Sequence, residues 1–435
     1  MPSIVHNIRN RINRSDIARR MISGLSWSLM CTVIARSIVL LSGIAVARVL
    51  GQELYGEFGM AKSTLNMLLI FGGAGLGVTA TKHIAEYRKD NPQKTSIIYL
   101  VTNIFAIFVA IIVTVLVFLF AELLSVDLLE RESLIDSMKA VAVILFFLII
   151  NIAQDGVLLG FEDFKSKSIN SLIGFVLQSL AMIVGSYYLG VLGAVIGYGL
   201  GFVVIMMLNK RSIQINFKKI GVKHHLSSLK KSDFSILYTY SLPAAISSML
   251  AGPTYWVVRT ILVKHTDFSE LAIYDVADQW RMFVLFIPAT ISHIVLPILS
   301  SISETNKAQF KKVLYYNVLI NFGIAFAIAL VMCLFSSFIV AFYGKGFTDN
   351  VPFIIMTVSS VFTSVSTILA VSISSKAKMW VWCGFNILWS AIAIISSYFF
   401  VIMGMGATGA SLAILLSFIV HTLLQYIYIH HLLLS

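Results

Sequence analysis

Four cationic side chains lie within long apolar stretches of this sequence: Arg36, Lys62, Arg259 and Arg281. A charge at the centre of a membrane helix costs about 2.5–3.5 kcal/mol on insertion scales, so it needs a function or a partner. Guanidinium and ammonium groups form charge-assisted hydrogen bonds with phosphate and carboxylate oxygens. The four residues therefore predict a cationic cavity that binds an anionic substrate. The alternative is ion pairing that only holds helices together.

Depth separates these four residues. Arg36 is near the bilayer centre, because it lies 15 residues after Met21 at a rise of about 1.5 Å per residue. Arg281 lies 11 residues beyond Glu270 and is also deep. Lys62 and Arg259 are closer to the ends of their apolar stretches, where a long side chain can extend to the interface.

Two acidic residues accompany Arg281 at helical spacing. Asp275 and Asp278 are three residues apart, and Asp278 precedes Arg281 by three. Residues at this spacing are neighbours on a helix surface, so an Asp278–Arg281 ion pair is expected. Acids at membrane depth are also candidate sites for H⁺ or Na⁺ coupling, and the two interpretations remain open.

Gly252 and Pro253 form the best hinge candidate, because proline removes a backbone donor and broken helices often border transport sites. A static kink is the alternative. The sequence shows no catalytic motif and no paired-Cys or His cluster suited to a metal, so we expect neither an enzyme nor a metal or organic cofactor.

The elements that carry these residues are predicted to be membrane helices. The 435 residues are 58% hydrophobic and 12% charged, against about 25% charged residues in soluble proteins. The composition predicts an all-α integral membrane protein. Stretches of about 20 apolar residues indicate about 12 transmembrane helices, at 21–47, 58–81, 97–121, 138–160, 168–188, 190–209, 234–263, 271–302, 312–341, 351–374, 379–402 and 407–430.

An internal repeat organises these helices. At an offset of 216 residues, Asn170 aligns with Asn386, Tyr99 with Tyr315, and Gly190 with Gly406. Six helices per repeat make the two repeats parallel, and such paired bundles surround a central cavity in transporters. The predicted domains are a basic tail (1–20), an N-terminal six-helix bundle (21–209), a basic linker (210–233) and a C-terminal six-helix bundle (234–435).

Lys and Arg residues predict the orientation in the membrane. Of 32 such residues, 23 lie in alternate connections that include the N-terminal tail and the linker 210–233. Positive residues favour the cytoplasmic side, so both termini are predicted to be cytoplasmic. This asymmetry, with anionic lipid, accounts for the net charge of +12, and we expect no nucleic-acid partner.

Several motifs resemble one transporter family. They are GLSWSLMCTVIARSIVLLSGIAVARVLG in helix 1, ELYGEFGMA and GAGLGVTATKHIAEY around helix 2, YSLPAAISSML in helix 7, and LGVLGAVIGYGLG with its copy GMGATGASLAILL in helices 6 and 12. Together they resemble the polysaccharide (Wzx-type, O-antigen) flippases of the multidrug/oligosaccharidyl-lipid/polysaccharide transporter superfamily. The likeness spans essentially the whole chain.

The resemblance implies a prokaryotic inner-membrane flippase. It implies that alternating access moves a polyprenyl-pyrophosphate-linked oligosaccharide across the membrane for O-antigen of lipopolysaccharide, capsule or exopolysaccharide. The cationic residues would contact the pyrophosphate or acidic sugars. Membrane lipids, a polysaccharide polymerase and chain-length proteins would be partners. A drug/cation antiporter of the same superfamily and a lipid II-type flippase are the alternatives.

Overall fold

The computed structural model describes residues 16–73, 75–222, 250–301, 307–376 and 378–433, and these are helical with no β-strand. Helices suit an apolar chain in lipid, because they satisfy their backbone hydrogen bonds internally. The all-helical prediction is confirmed. The helices are α1 Asp16–Leu50, α2 Gln52–Gly73, α3 Leu76–Tyr87, α4 Pro92–Leu119, α5 Ile135–Gly160, α6 Phe164–Lys219, α7 Ala251–His265, α8 Phe268–Ser301, α9 Lys307–Leu334, α10 Ser336–Ala341, α11 Val351–Ser375, α12 Met379–Phe400 and α13 Gly406–Tyr428.

Seven segments of the described chain are long and apolar enough to cross a membrane. Two of them, Phe164–Lys219 with 56 residues and Met379–His431 with 53, are long enough for two crossings at about 20 residues each. Each is interrupted by a glycine with a left-handed backbone. Gly190 has φ 58° and ψ −135°, and Gly406 has φ 49° and ψ −134°. Gly190 lies at the predicted boundary between helices 168–188 and 190–209, and Gly406 lies at the boundary between helices 379–402 and 407–430.

Several element boundaries recur at the spacing of the sequence repeat. α2 begins at Gln52 and α8 begins 216 residues later at Phe268, and α5 and α11 begin at Ile135 and Val351 with the same spacing. The matching backbone angles of Gly190 and Gly406 follow the same rule. The offset therefore applies to the helix starts as well as to residue types.

Three segments depart from the predicted boundaries. The predicted helix 312–341 is divided at Phe335 between α9 and α10. The predicted helix 58–81 is divided, since α2 ends at Gly73 and α3 starts at Leu76 after Gly75 with φ 86°. A glycine adopts this backbone without a Cβ penalty, which explains the break in a glycine-rich stretch. In addition, α6 continues to Lys219, so the start of the predicted linker 210–233 is helical.

Some predictions lie outside the described residues. These are most of the tail 1–20, the linker from 223 onward, and the start of the predicted helix 234–263.

The chain divides into two compact units. The described residues of 1–43, 68–121 and 136–248 form the first, and those of 44–67, 122–135 and 249–435 form the second. The end of α1 and most of α2 therefore belong to the same unit as α7 to α13. This second unit holds most of the charged residues that the sequence predicted to be functional.

Candidate functional site

Arg259 of α7 connects two carboxylates of α8. Its Nε donates to Asp275 Oδ1 at 2.8 Å, and its Nη2 donates to Asp278 Oδ2 at 2.7 Å. The guanidinium carbon lies 5.1 Å from the centroid of the Tyr274 ring, within the range of a cation–π contact. All three charged side chains are buried. One arginine therefore links α7 to two successive turns of α8.

Arg281 completes the group. Its Nε donates to Asp278 Oδ1 at 2.8 Å, so Asp278 accepts from both arginines. Arg281 is only 1% exposed and stacks on the ring of Tyr255 with a carbon-to-centroid distance of 5.0 Å. We call Arg259, Asp275, Asp278 and Arg281 the ionic cluster. The Asp278–Arg281 contact is the helical i,i+3 pair that the sequence spacing indicated.

Gly59 of α2 gives Asp275 the space that it occupies. A Cβ at position 59 would overlap Asp275 Oδ2, so only glycine allows this approach. Asp275 Oδ2 is buried and has no hydrogen-bond donor among the described residues. An uncompensated carboxylate oxygen is costly to bury, which makes this atom the least satisfied point of the cluster.

Lys62 lies one turn further along α2. It is half-buried, its Nζ is 5.6 Å from the centroid of the Phe58 ring, and it interacts electrostatically with Asp275 and Asp278. With Arg259 and Arg281 it brings three positive charges against two negative ones. The region consequently carries one surplus positive charge.

A second network contains no formal charge and was missed by the sequence analysis. Tyr55 and Tyr343 both donate to Gln279 Oε1, at 3.3 and 3.1 Å, and Trp280 Nε1 donates to the Tyr343 hydroxyl at 3.0 Å. Aromatic residues near span ends are expected in an interfacial belt, which hid the role of Tyr55. Gln279 carries no charge and gave no signal.

Glu57, near the start of α2, is an acidic residue outside the ionic cluster. It is 1% exposed, and its Oε1 accepts from Arg131 Nε at 2.6 Å. Ser133 adds a hydrogen bond at 3.1 Å, and Glu53 binds the other side of the guanidinium. The hydrogen bond to Glu57 raises the pKa of Arg131, which lies in the connection between α4 and α5. The connection is thereby attached to α2.

The remaining predicted residues lie elsewhere. Arg36 is in the part of α1 that belongs to the first unit, and it is exposed. Gly252 and Pro253 are in the first turn of α7, where proline costs no helical hydrogen bond. No group of three or more His, Cys, Asp or Glu side chains in the described chain is arranged to hold a metal.

Solved structures define the class of fold. The chain matches an inward-facing multidrug resistance MATE family transporter of the MOP superfamily with a TM-score of 0.77 at 16% identity, covering 93% of this chain and 98% of the other. It matches the lipid II flippase MurJ in an inward closed conformation with a TM-score of 0.74 at 13% identity, covering 93% and 87%. The fold therefore resembles that of these two proteins.

The sequence gives the family. Residues 21–303 match the model of the polysaccharide biosynthesis protein family, and the chain belongs to that family. The resemblance inferred from the motifs is confirmed at this level, and the protein is a multi-pass membrane protein.

Curated relatives agree with this assignment. EPS I polysaccharide export inner membrane protein EpsE of Ralstonia nicotianae is 22% identical over 405 residues, 90% of either chain. The match to EpsE of Ralstonia solanacearum, at 25% identity, spans 43% of that protein, less than half of its length. Lipid III flippase of Escherichia coli is 24% identical over 289 residues, 64% of this chain and 67% of that protein.

Proposed function

We propose that this protein is an inner-membrane flippase that moves a polyprenyl-pyrophosphate-linked oligosaccharide by alternating access for surface polysaccharide synthesis. The family, the polysaccharide-export and lipid III flippase names of its relatives, and the fold shared with MurJ support the proposal. It acts as a transporter and not as an enzyme. Both termini are cytoplasmic in this proposal, and a polymerase and chain-length proteins receive the product.

The observation that carries the proposal is the surplus positive charge around the ionic cluster. Among the described residues, three cations face two carboxylates in the membrane interior, and Lys62 is the one of the three with no carboxylate of that part of the chain within ion-pair distance. Such a region attracts a pyrophosphate or an acidic sugar and repels a cationic drug. This charge balance favours the flippase over the drug/cation antiporter.

The chemistry is an exchange of partners. An anionic group that binds Lys62 competes with Asp275 and Asp278 for Arg259 and Arg281, since arginine binds phosphate and carboxylate oxygens alike. The displaced carboxylates then take up H⁺ or Na⁺, which couples an ion to transport. Arg36 binds an anionic group from its own position in α1. Gly252 and Pro253, in the first turn of α7, allow the helix to pivot as Arg259 changes partners.

A deletion strain tests the function. Loss of surface polysaccharide, with lipid-linked repeat units retained on the cytoplasmic leaflet, is the expected phenotype. The wild-type gene restores export, whereas unchanged drug susceptibility separates the flippase from the antiporter. Normal polysaccharide in the deletion strain, with no retained intermediate, contradicts the proposal.

Variants then test the residues. Lys62→Gln and Arg36→Ala, matched for protein level, are expected to reduce export at least tenfold, and Lys62→Arg is expected to retain most of it. Lys264→Gln is the matched control, because Lys264 is an exposed lysine at the end of α7. Full export by Lys62→Gln or by Arg36→Ala removes that residue from the site.

A further inference from the structure

A polar triad lies in the C-terminal halves of α11 and α13, next to Phe418, which also contacts Arg281 of the ionic cluster. Ser366 Oγ is 2.8 Å from His421 Nδ1 and 3.1 Å from Gln425 Oε1. Gln425 Nε2 is 3.2 Å from His421 Nε2. The three side chains are 3%, 6% and 0% exposed, and Phe385 and Phe418 cover the imidazole with ring centroids at 6.3 Å. A buried histidine in a membrane helix needs a reason.

The three contacts define where the protons are. An amide nitrogen only donates, so Gln425 Nε2 donates to His421 Nε2, and the imidazole must carry its proton on Nδ1. Nδ1 then donates to Ser366 Oγ, and the hydroxyl donates to Gln425 Oε1. The result is a closed ring of three hydrogen bonds around a neutral histidine.

The same ring accepts one more proton without moving the backbone. When a proton from water binds Nε2, the Gln425 amide turns over and presents Oε1 to the new N–H. The amide nitrogen then donates to Ser366 Oγ, whose hydroxyl turns to a carbonyl of its own helix, a common arrangement for serine. Each of the three side chains keeps a hydrogen-bond partner in both states, which is the property of a reversible proton site.

The charged surroundings control when the proton binds. α11 and α12 contain no Asp, Glu, Lys or Arg, their titratable side chains are Cys383 and Tyr398, and α13 adds Tyr426 and Tyr428. α9 also packs against α11 and carries Lys311, Lys312, Tyr315, Tyr316 and Cys333, and Lys376 follows the end of α11. From α8, the guanidinium carbon of Arg281 lies 6.0 Å from the centroid of the Phe418 ring, which also contacts His421, and Asp278 is bound to Arg281. From α7, Tyr255 contacts Arg281, and Arg259 shares Asp278. The positive charge that these contacts bring toward the imidazole is that of Arg281, and a positive charge opposes protonation of an imidazole.

We propose that His421, Ser366 and Gln425 form a proton-binding site that is empty at rest and fills when an anion binds at the ionic cluster. An anion offsets the charge of Arg281 and removes the repulsion across Phe418, because opposite and like charges act on a nearby imidazole in opposite directions. The link to transport rests on the proposed function, whereas the proton site does not. Proton uptake would then accompany substrate binding.

The first experiment uses the purified protein in detergent and follows thermal unfolding from pH 5 to 8, the range in which histidines titrate. Because the resting site favours the neutral ring, the wild-type midpoint should fall relative to that of His421→Gln as the pH decreases. His430→Gln, at an exposed histidine beyond the end of α13, is the matched control and should follow the wild-type curve. A His421→Gln curve parallel to the wild-type curve at every pH overturns the site.

A second variant keeps the test independent of whether His421→Gln folds. Gln425→Glu places a carboxylate beside Nε2 and favours the charged imidazole in the folded protein, so the fall of the midpoint at low pH should become smaller. A fall as large as that of the wild-type protein overturns the site.

The third measurement addresses the link to the cluster. Inorganic pyrophosphate should likewise make the fall of the wild-type midpoint at low pH smaller, and it should leave the pH dependence of His421→Gln unchanged. A wild-type pH dependence that pyrophosphate does not change overturns the link. None of these measurements depends on export, so their failure is distinguishable from failure of the flippase proposal.

Discussion

α2 and α8 begin 216 residues apart, and they also contact each other. Gln52 Nε2 donates to the carbonyl of Ser269 at 3.2 Å, Gly56 packs on the backbone of Phe268, and Gly59 packs on Asp275. From Gly56 to Gly59 the contact on α8 advances from Phe268 to Asp275, so the two helices run in the same direction. At equivalent positions, however, α2 has Gly59 and Lys62 where α8 has Asp275 and Asp278.

The difference teaches how a duplicated helix pair acquires a charged site. When equivalent helices face each other, equivalent residues lie near each other, and two aspartates at these positions would repel. A glycine on one helix admits the carboxylate of the other, and a lysine opposes the second carboxylate. α8 thus supplies the carboxylates of the ion pairs, and α2 supplies the space for Asp275 and the additional positive charge of Lys62.

Removing the acid that both arginines share has the largest expected effect on this comparison. Asp278→Ala leaves Arg259 with one carboxylate and Arg281 with none, and breaking a buried ion pair in this way costs about 3–5 kcal/mol. We expect a large fall in the thermal midpoint and in the yield of monodisperse protein. A wild-type midpoint would show that Asp278 does not hold the cluster.

Replacing both partners separates charge from shape. Asp278→Ala combined with Arg281→Met should be more stable than Asp278→Ala alone, because an unpaired buried arginine costs more than an apolar side chain of similar size. A double variant no more stable than the single one would contradict this account.

Alanine at the two glycines of α2 tests the other side of the pair. At Gly56 the added Cβ overlaps the backbone carbonyl of Phe268, and at Gly59 it overlaps the carboxylate of Asp275. Backbone moves less readily than a side chain, so Gly56→Ala should be the worse, within the range of about 1–3 kcal/mol for overpacking. Unfolding midpoints measure the order.

Gly323→Ala in α9 is the matched control, since a Cβ there meets nothing within 4 Å. A glycine within a helix costs about 0.5–1 kcal/mol relative to alanine, so this variant should be slightly stabilised. Equal losses at positions 56, 59 and 323 would show that packing of α2 on α8 is not the cause.

Much of this site was predictable from spacing and depth. Charges within apolar stretches identified Arg259, Asp275, Asp278 and Arg281, and the i,i+3 rule indicated the Asp278–Arg281 pair. The sequence could not show that Arg259 binds across to α8, because contacts between helices depend on their rotation about their own axes. Gln279 and Ser366 carry no charge, so their presence in apolar stretches did not indicate a site. His421 was overlooked because a single histidine in an apolar helix looks like packing.

The interrupted helices offer a comparison between the two repeats. Gly190 and Gly406 share a left-handed backbone, so alanine at either should cost about 1–3 kcal/mol. Gly406→Ala should cost more, because its Cβ also overlaps Glu270 Oε2, which accepts from Ala407 N at 2.6 Å. Gly190 has open space around it. Adding Glu270→Ala to Gly406→Ala tests whether the overlap explains any excess, which should then shrink.

The smallest effect is expected at Glu57, another charged residue of α2, whose described partners are Arg131 and Ser133. Arg131→Gln leaves the Glu57 carboxylate with one strong partner, Ser133, and because Arg131 is one-third exposed we expect a loss of only about 1 kcal/mol. Glu53→Gln is the control, since Glu53 is more than half exposed and should change the midpoint little. If Arg131→Gln destabilises the protein as much as Asp278→Ala does, the contrast between buried and partly exposed ion pairs fails. If it does not, the buried ionic cluster contributes more to stability than the partly exposed Arg131–Glu57 pair does.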